Sequence, residues 1–400
     1  MARARRGTAL CQTATRMGRG ERRGSGHARG GRQPVDGSRR LRATRLRVAA
    51  VAIGAGCLLA GCAGAPRAAT HATHATHATT PPPTSTSPPS AVAAAGPDCP
   101  LTGTPAPNGS VPNRAALAVK VDNYPTARPQ SGLTAADVVF EEPVEGGITR
   151  YVAVFQCHGT HTVGPVRSAR NIDIGILGQL GHPLLVHVGG IQPVIDNILA
   201  SPIDDFELGN YTTSVVQHPS GRVAPYDTYT STTTVWQMRS TADVAPQPLF
   251  TYSPTVPAGT PAKSVSIPFS SYSPVVWKYD AKSRRYLRYY ASSPDTLANG
   301  VQNSAANVIV QFISVYYGPW VENSQGALEV QANLSTHASG QAIVFRNGVG
   351  IPAQWSRATL AQPTQFTTTS GAPVAMQPGN TWVELVPTTV HVSTTPPSSG

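Results

Sequence analysis

Between Asp137 and Arg170 the chain gathers side chains able to carry chemistry. The stretch reads Asp137-Val138-Val139-Phe140-Glu141-Glu142-Pro143-Val144-Glu145-Gly146-Gly147-Ile148-Thr149-Arg150. It continues through an apolar run and ends Gly164-Pro165-Val166-Arg167-Ser168-Ala169-Arg170. From Cys62 onward there are 13 Arg, and four of them are Arg128, Arg150, Arg167 and Arg170. A guanidinium presents a planar fork of donors that matches a carboxylate or a phosphate. Gly or Pro stands beside three of the four, so these side chains are expected at strand ends, converging on a cleft. Glu142, Glu145 and Asp122 would orient the arginines or read donor groups of a ligand. His187-Val188-Gly189-Gly190 ends a predicted strand ahead of a helix, and free amides at Gly189 and Gly190 would suit an anion. The candidate ligand-binding set is Arg128, Glu142, Glu145, Arg150, Arg167, Arg170, His187, Gly189 and Gly190.

Two other readings use the same residues. In one, the arginines and glutamates are an internal ion-pair network. In the other, Glu142 or Glu145 is a general acid or base, with His187 as the alternative base, in a hydrolase acting on cell-wall polymers. No nucleophile motif, metal-ligand spacing or cofactor fingerprint accompanies them. The reading therefore leans away from an enzyme and expects neither metal nor cofactor.

The elements that position these residues are mixed. Leu117, Val119 and Val121 alternate with Lys120 and end in Asp122-Asn123, which predicts a strand. Tyr124 to Gly132 is a loop presenting Arg128. Val138 to Phe140 and Ile148 to Cys157 are further strands, with Tyr151, Ala153 and Phe155 on one face and Arg150 on the other. Ser168 is placed to cap a helix through Ile172, Ile176 and Leu180. Residues 183–188 form a strand, and Ile191, Val194, Ile195, Ile198 and Leu199 have helical spacing. Beyond residue 262 the signals are nearly all strand. Val275 to Tyr279 and Tyr286 to Tyr289 form a hairpin, and Trp382 to Val386 is the last strand. Aromatic residues in this half are expected in the core. The fold class is α+β: a mixed α/β domain over 112–250, a linker over 251–262, a β-rich domain over 263–388 and a disordered tail over 389–400.

Ahead of residue 112 the composition changes. Residues 1–61 hold 14 Arg and two acids, leaving 17 Lys+Arg against 18 Asp+Glu from Cys62 onward. The formal charge of +11 therefore resides in the leader, and nucleic acid is not an expected partner. Arg39 to Arg47 is a basic n-region, and Val48 to Gly61 is an apolar run shorter than the ~20 residues of a membrane span. It ends Leu59-Ala60-Gly61-Cys62, which resembles the bacterial lipobox; Cys62 is the expected lipidation site, and 1–61 a lipoprotein signal peptide. Residues 62–111, rich in Ala, Thr, Pro and Ser, read as a disordered tether. Its Ala-Thr-His repeats place His71, His74 and His77 without Cys or carboxylate companions, which favours a low-complexity repeat over a metal tract. Cys99 and Cys157 remain. They are expected as a disulfide in an oxidising compartment, the other reading being Cys157 as a thiol beside His158.

Several of these segments together resemble a known family. Asn123 with Arg128-Pro129-Gln130-Ser131-Gly132, Phe140-Glu141, Glu145-Gly146-Gly147-Ile148-Thr149-Arg150, Gly164 to Arg170 and His187-Val188-Gly189-Gly190 are similar to the YerB-like lipoprotein family, the domain of unknown function numbered 3048. Val276 to Asp280 and Asn380 to Pro387 are similar to that family's C-terminal domain. The resemblance implies a two-domain, lipid-anchored envelope protein and supplies no reaction; lipidation at Cys62 would hold it at the outer face of the cytoplasmic membrane. The expected partners are the membrane, through the anchor, and an anionic cell-wall polymer or an envelope protein.

Overall fold

The computed structural model describes residues 96–211, 214–239 and 244–396. The signal peptide, Cys62 and the three tether histidines lie outside the described residues. Strands make up 39% of the described residues and helices 13%, so the mixed sheets dominate. The first half supplies β1 (Leu117–Asp122), β2 (Val138–Pro143), β3 (Thr149–Phe155), α1 (Ile172–Leu177), β4 (Leu184–His187), α2 (Gln192–Leu199), β5 (Asp204–Glu207) and α3 (Thr232–Met238). The second half supplies β6 (Ser264–Pro268), β7 (Pro274–Asp280), β8 (Arg285–Tyr290), β9 (Asn307–Ile313), β10 (Val315–Val321) and β11 (Leu328–Ala332). These are followed by β12 (Ala338–Arg346), β13 (Val349–Arg357), β14 (Gln365–Thr367), β15 (Thr381–Pro387) and β16 (Ser393–Thr395).

One eleven-stranded sheet runs through both halves, with the long path β14-β13-β12-β9-β15-β2-β3-β1-β4-β5. The join is β15, which pairs in parallel with β9 on one side and β2 on the other. The expected second domain therefore contributes strands to the same sheet as the first. The smaller sheet, built on β8-β7-β6-β16, contains the expected hairpin of β7 and β8.

Strand alternation sorts the core into two layers. Val138, Phe140, Val152 and Val154 face one side and pack with Ile172, Ile176, Val194 and Ile198 of the helices. Val119, Val121, Tyr151 and Phe155 face the other side and pack with Val265, Val275, Trp277 and Tyr286 of the smaller sheet. Trp277 and Trp382 are fully buried, so these two aromatics lie in the core.

Three boundaries differ from the sequence reading. Residues 96–111 are folded, because Leu101 is buried in the helix-side core and Cys99 is joined to Cys157 by a disulfide. Thr260–Pro261 of the expected linker pairs with β13. Ser393–Thr395 of the expected tail pairs with β6. In each case a Pro/Thr/Ser composition that looks unable to fold alone is held by backbone bonds to a neighbour.

Candidate functional site

Segment 164–170 positions the arginines. Gly164 has φ +151°, and a Cβ there would approach the Tyr229 ring to 2.8 Å, so only glycine fits this turn. The chain then runs alongside the end of β1: Asp122 N donates to Pro165 O at 2.9 Å, and Arg167 N donates to Lys120 O at 2.9 Å. Ala169 N donates to Gly189 O at 3.1 Å, tying the segment to the loop after β4. Helix α1 starts only at Ile172. Its N-cap residue is Asn171, which makes no side-chain cap, and Asp173 Oδ2 accepts from Arg170 N at 2.7 Å just ahead of the helix, so Ser168 is not its cap.

The arrangement opens a cleft of about 360 Å³ lined by Asp122, Glu145, Arg150, Arg167, Arg170 and Glu322. The three arginines differ in how far each is committed. Arg170 forks onto Glu145, with Nε 2.9 Å from Oε2 and Nη2 on Oε1, and approaches Glu322 at 3.3 Å. Arg150 donates to Ser168 O at 3.0 Å and lies 3.6 Å from Glu145. Arg167 uses only its Nε, donating to Asp122 at 2.7 Å. Its two Nη nitrogens have no hydrogen-bond partner among the described residues, and the side chain is 29% exposed.

Charge states follow from these contacts. Burial works against ionised Glu145, but the Arg170 hydrogen bonds and the charges of Arg170 and Arg150 outweigh it and hold the carboxyl at about 2. Burial and then the neighbouring Arg170 lower Arg150 to about 10. Burial raises Glu322, whose side chain is 2% exposed and whose Oε1 has no partner. Arg150, Arg167 and Arg170 thus face Glu145, Asp122 and a carboxyl, Glu322, that holds its proton more readily than usual. A tyrosine group borders the cleft: Tyr124 stacks on Tyr226 at 6.5 Å and tilts against Tyr272 at 5.5 Å.

The other candidate residues lie elsewhere. Arg128 bonds Asn123 and the carbonyl of Tyr272 and covers the Tyr290 ring at 3.5 Å, so it braces the Tyr272 loop. Glu142 is fully buried against Lys120, which also donates to Asp173 at 2.6 Å. His187 is buried between Asp205 at 2.7 Å and Glu207 at 3.1 Å. Its affinity for a proton is raised: burial opposes this, and the Asp205 hydrogen bond and the Glu207 charge prevail. The amide of Gly189 already donates to both oxygens of Glu207, at 2.9 and 2.8 Å. The protein's own carboxylate therefore occupies the expected anion position there. Gly190 follows in the same loop, and neither glycine lines the cleft. Sequence reasoning missed Glu322, Tyr226 and Tyr272, which arrive from distant segments and carry no local motif. Among the described residues no group of three His, Cys, Asp or Glu is placed to hold a metal, and no helix is long and apolar enough to cross a membrane.

Comparison with known proteins agrees with the resemblance in the sequence. Residues 101–245 match the model described as "Protein of unknown function (DUF3048) N-terminal domain". Residues 265–383 match the corresponding C-terminal domain. A curated protein of Bacillus subtilis (strain 168), described as "Putative lipoprotein YerB", is 27% identical over 292 residues, covering 69% of this chain and 82% of its own length. The crystal structure of the YerB protein from Bacillus subtilis superposes with a TM-score of 0.63 at 24% identity, covering 74% of this chain and 99% of that one.

Proposed function

The chain belongs to the DUF3048 family, and on that premise we propose that it is a lipid-anchored cell-envelope protein binding an anionic ligand in the arginine cleft. The observation that carries the reading is Arg167. Among the described residues its outer guanidinium edge is unpaired, in a cleft that two more arginines line. A carboxylate or phosphate would complete that fork, and the bordering tyrosines would cover the rest of a wall-polymer fragment or an acidic peptide segment. The acid–base alternative loses its named groups: Glu142 and His187 are outside the cleft, and Glu145 is held ionised by Arg170.

Arg167→Ala is the direct test, with purified cell wall as the probe before and after acid extraction of its anionic polymers. The variant is expected to lose at least roughly tenfold in affinity, with melting within a few degrees of the wild type, because Arg167 is partly exposed and Asp122 keeps its bond from Tyr124 N and lines the open cleft. Unchanged binding would refute the reading.

The anchor rests on Leu59-Ala60-Gly61-Cys62 and on the description of the Bacillus relative as a lipoprotein. Metabolic labelling with a clickable fatty acid is expected to tag the protein and to be abolished in Cys62→Ala. Equal labelling of both would remove the anchor and, with it, the placement at the outer membrane face.

A further inference from the structure

A second cavity, of about 570 Å³, lies where the Cys99–Cys157 connection meets the smaller sheet. Among its lining residues are Thr102, Thr104, Thr134, Asp137, His158 and Arg285. It shares no lining residue with the arginine cleft.

Its charges are arranged to favour an anion. Asp137 is buried and spent: Oδ2 accepts from Gln156 N at 2.6 Å and Cys157 N at 3.0 Å, and Oδ1 meets His158 Nδ1 at 2.6 Å. With Nδ1 turned to a carboxylate, His158 keeps Nε2 for other partners, and its side chain is half exposed. Arg285 is held by Nε to Ser304 Oγ at 2.8 Å and by Nη2 to Ser304 O and Asn380 Oδ1. Its Nη1 has no partner, and no carboxylate pairs with it, among the described residues. A partly buried guanidinium without a counter-charge is a costly arrangement that a bound anion would relieve. Thr102 and Thr104 share one hydrogen bond at 2.7 Å between their hydroxyls, which leaves one hydroxyl proton free to donate.

We propose that this cavity is a second anion site, taking one carboxylate or one tetrahedral oxyanion on His158, Arg285 and the Thr102–Thr104 hydroxyl pair. The site is independent of the arginine cleft. It depends on the disulfide, because Cys99 O accepts from Thr102 N and Gly103 N and so fixes the threonine loop beside His158.

The site also has a pH dependence. The hydrogen bond to Asp137 raises the proton affinity of His158; burial and the charge of Arg114 oppose it. Asp137, Arg114 and, across the cavity, Arg285 are the charged groups around the ring. Anion affinity is therefore full while His158 is charged and falls as pH rises past its raised pKa.

Sulfate and acetate are suitable probes, because neither titrates in that range. Histidine ring NMR on the whole chain is expected to show a saturable shift of the His158 signal, assigned by its loss in His158→Gln. Affinity should fall by roughly tenfold between about pH 6 and pH 8.5. Arg285→Gln should abolish the shift. Should that variant not fold, sulfate- or acetate-induced thermal stabilisation that disappears in His158→Gln, and in the wild type after disulfide reduction, supports the same site. A response to sulfate alone assigns phosphate-like groups, and a response to acetate alone assigns carboxylates. No saturable response to either, or one that survives both substitutions, overturns the proposal.

Discussion

Replacing Arg288 by methionine is expected to destabilise the protein by about 3–5 kcal/mol, the range for stranding buried ionic partners. Arg288 is fully buried on β8 between the two sheets. Its Nη2 lies 2.6 Å from Glu141 Oε2 on β2, and its Nη1 lies 2.7 Å from Asp295 Oδ2. The rings of Tyr290, Trp382, Tyr151 and Trp277 surround the guanidinium at 4.7 to 5.8 Å. Glu384 stands opposite Glu141 in the sheet and accepts from Trp277 Nε1 at 2.7 Å. Burial, and then the charge on Glu141, push Glu384 well above the ordinary carboxyl range, so it holds its proton more readily than an ordinary carboxyl does. Methionine fills much of the space but leaves Glu141 and Asp295 without a cation. The melting temperature is expected to fall on the order of 10 °C. The double substitution Arg288→Met with Glu141→Gln should recover part of the loss, and the cycle isolates the pair. A single variant that melts with the wild type would mean that the packed rings alone hold the sheets together.

Glu141 and Glu142 also show where sequence reasoning stops. They are adjacent, and strand alternation must send them to opposite faces of the sheet. Glu141 goes between the sheets to Arg288, and Glu142 goes under the helices to Lys120. Alternation was legible in the sequence, and so was the face of Arg150. The partners were not, because they depend on register with strands 22 to 147 positions away. The proximity of three arginines was legible from their Gly/Pro flanks, since Arg150, Arg167 and Arg170 line one cleft, whereas Arg128 lies outside it. Glu322 was not, since it follows β10 and reaches the cleft only through tertiary packing.

Composition misled at the segment ends for a related reason. Residues 96–111 hold few apolar side chains, yet Leu101 and Ala106 are buried and the disulfide anchors the loop. A short segment needs little core of its own when its neighbour provides one. The helix prediction over residues 191–199 held because apolar spacing is a local signal, and Val194 and Ile198 do face the core. The anion expectation beside it failed at Gly189 because Glu207, from the next strand, reaches back to the same amide. Nothing in the local sequence announces that contact.

The second large effect is expected at Lys120. Its ammonium is fully buried on β1 and holds Glu142 of β2 and Asp173 of α1 at once. Lys120→Met should cost about 3–5 kcal/mol, because Glu142 and Asp173 both lose the buried cation they contact. Glu142 already sits high, at about 8: burial raises it most, the charge of Asp173 raises it further, and Lys120 only partly compensates. A folded-state value above the ordinary 4.5 means that the native protein binds the extra proton. This contribution is present at low pH and is lost as pH rises from 4.5 towards 8. Glu145 acts in a separate window: its value of about 2 gives stability above 4.5 that is lost as pH falls towards 2. His187, raised above 6.5, adds to the loss on the alkaline side. Melting temperature against pH should therefore peak near the lower edge of the Glu142 window and decline towards pH 8. Glu142→Gln should flatten that decline while leaving the acid limb in place, because Glu145 is untouched. An alkaline limb as steep in Glu142→Gln as in the wild type would show that the shared proton is not at this lysine.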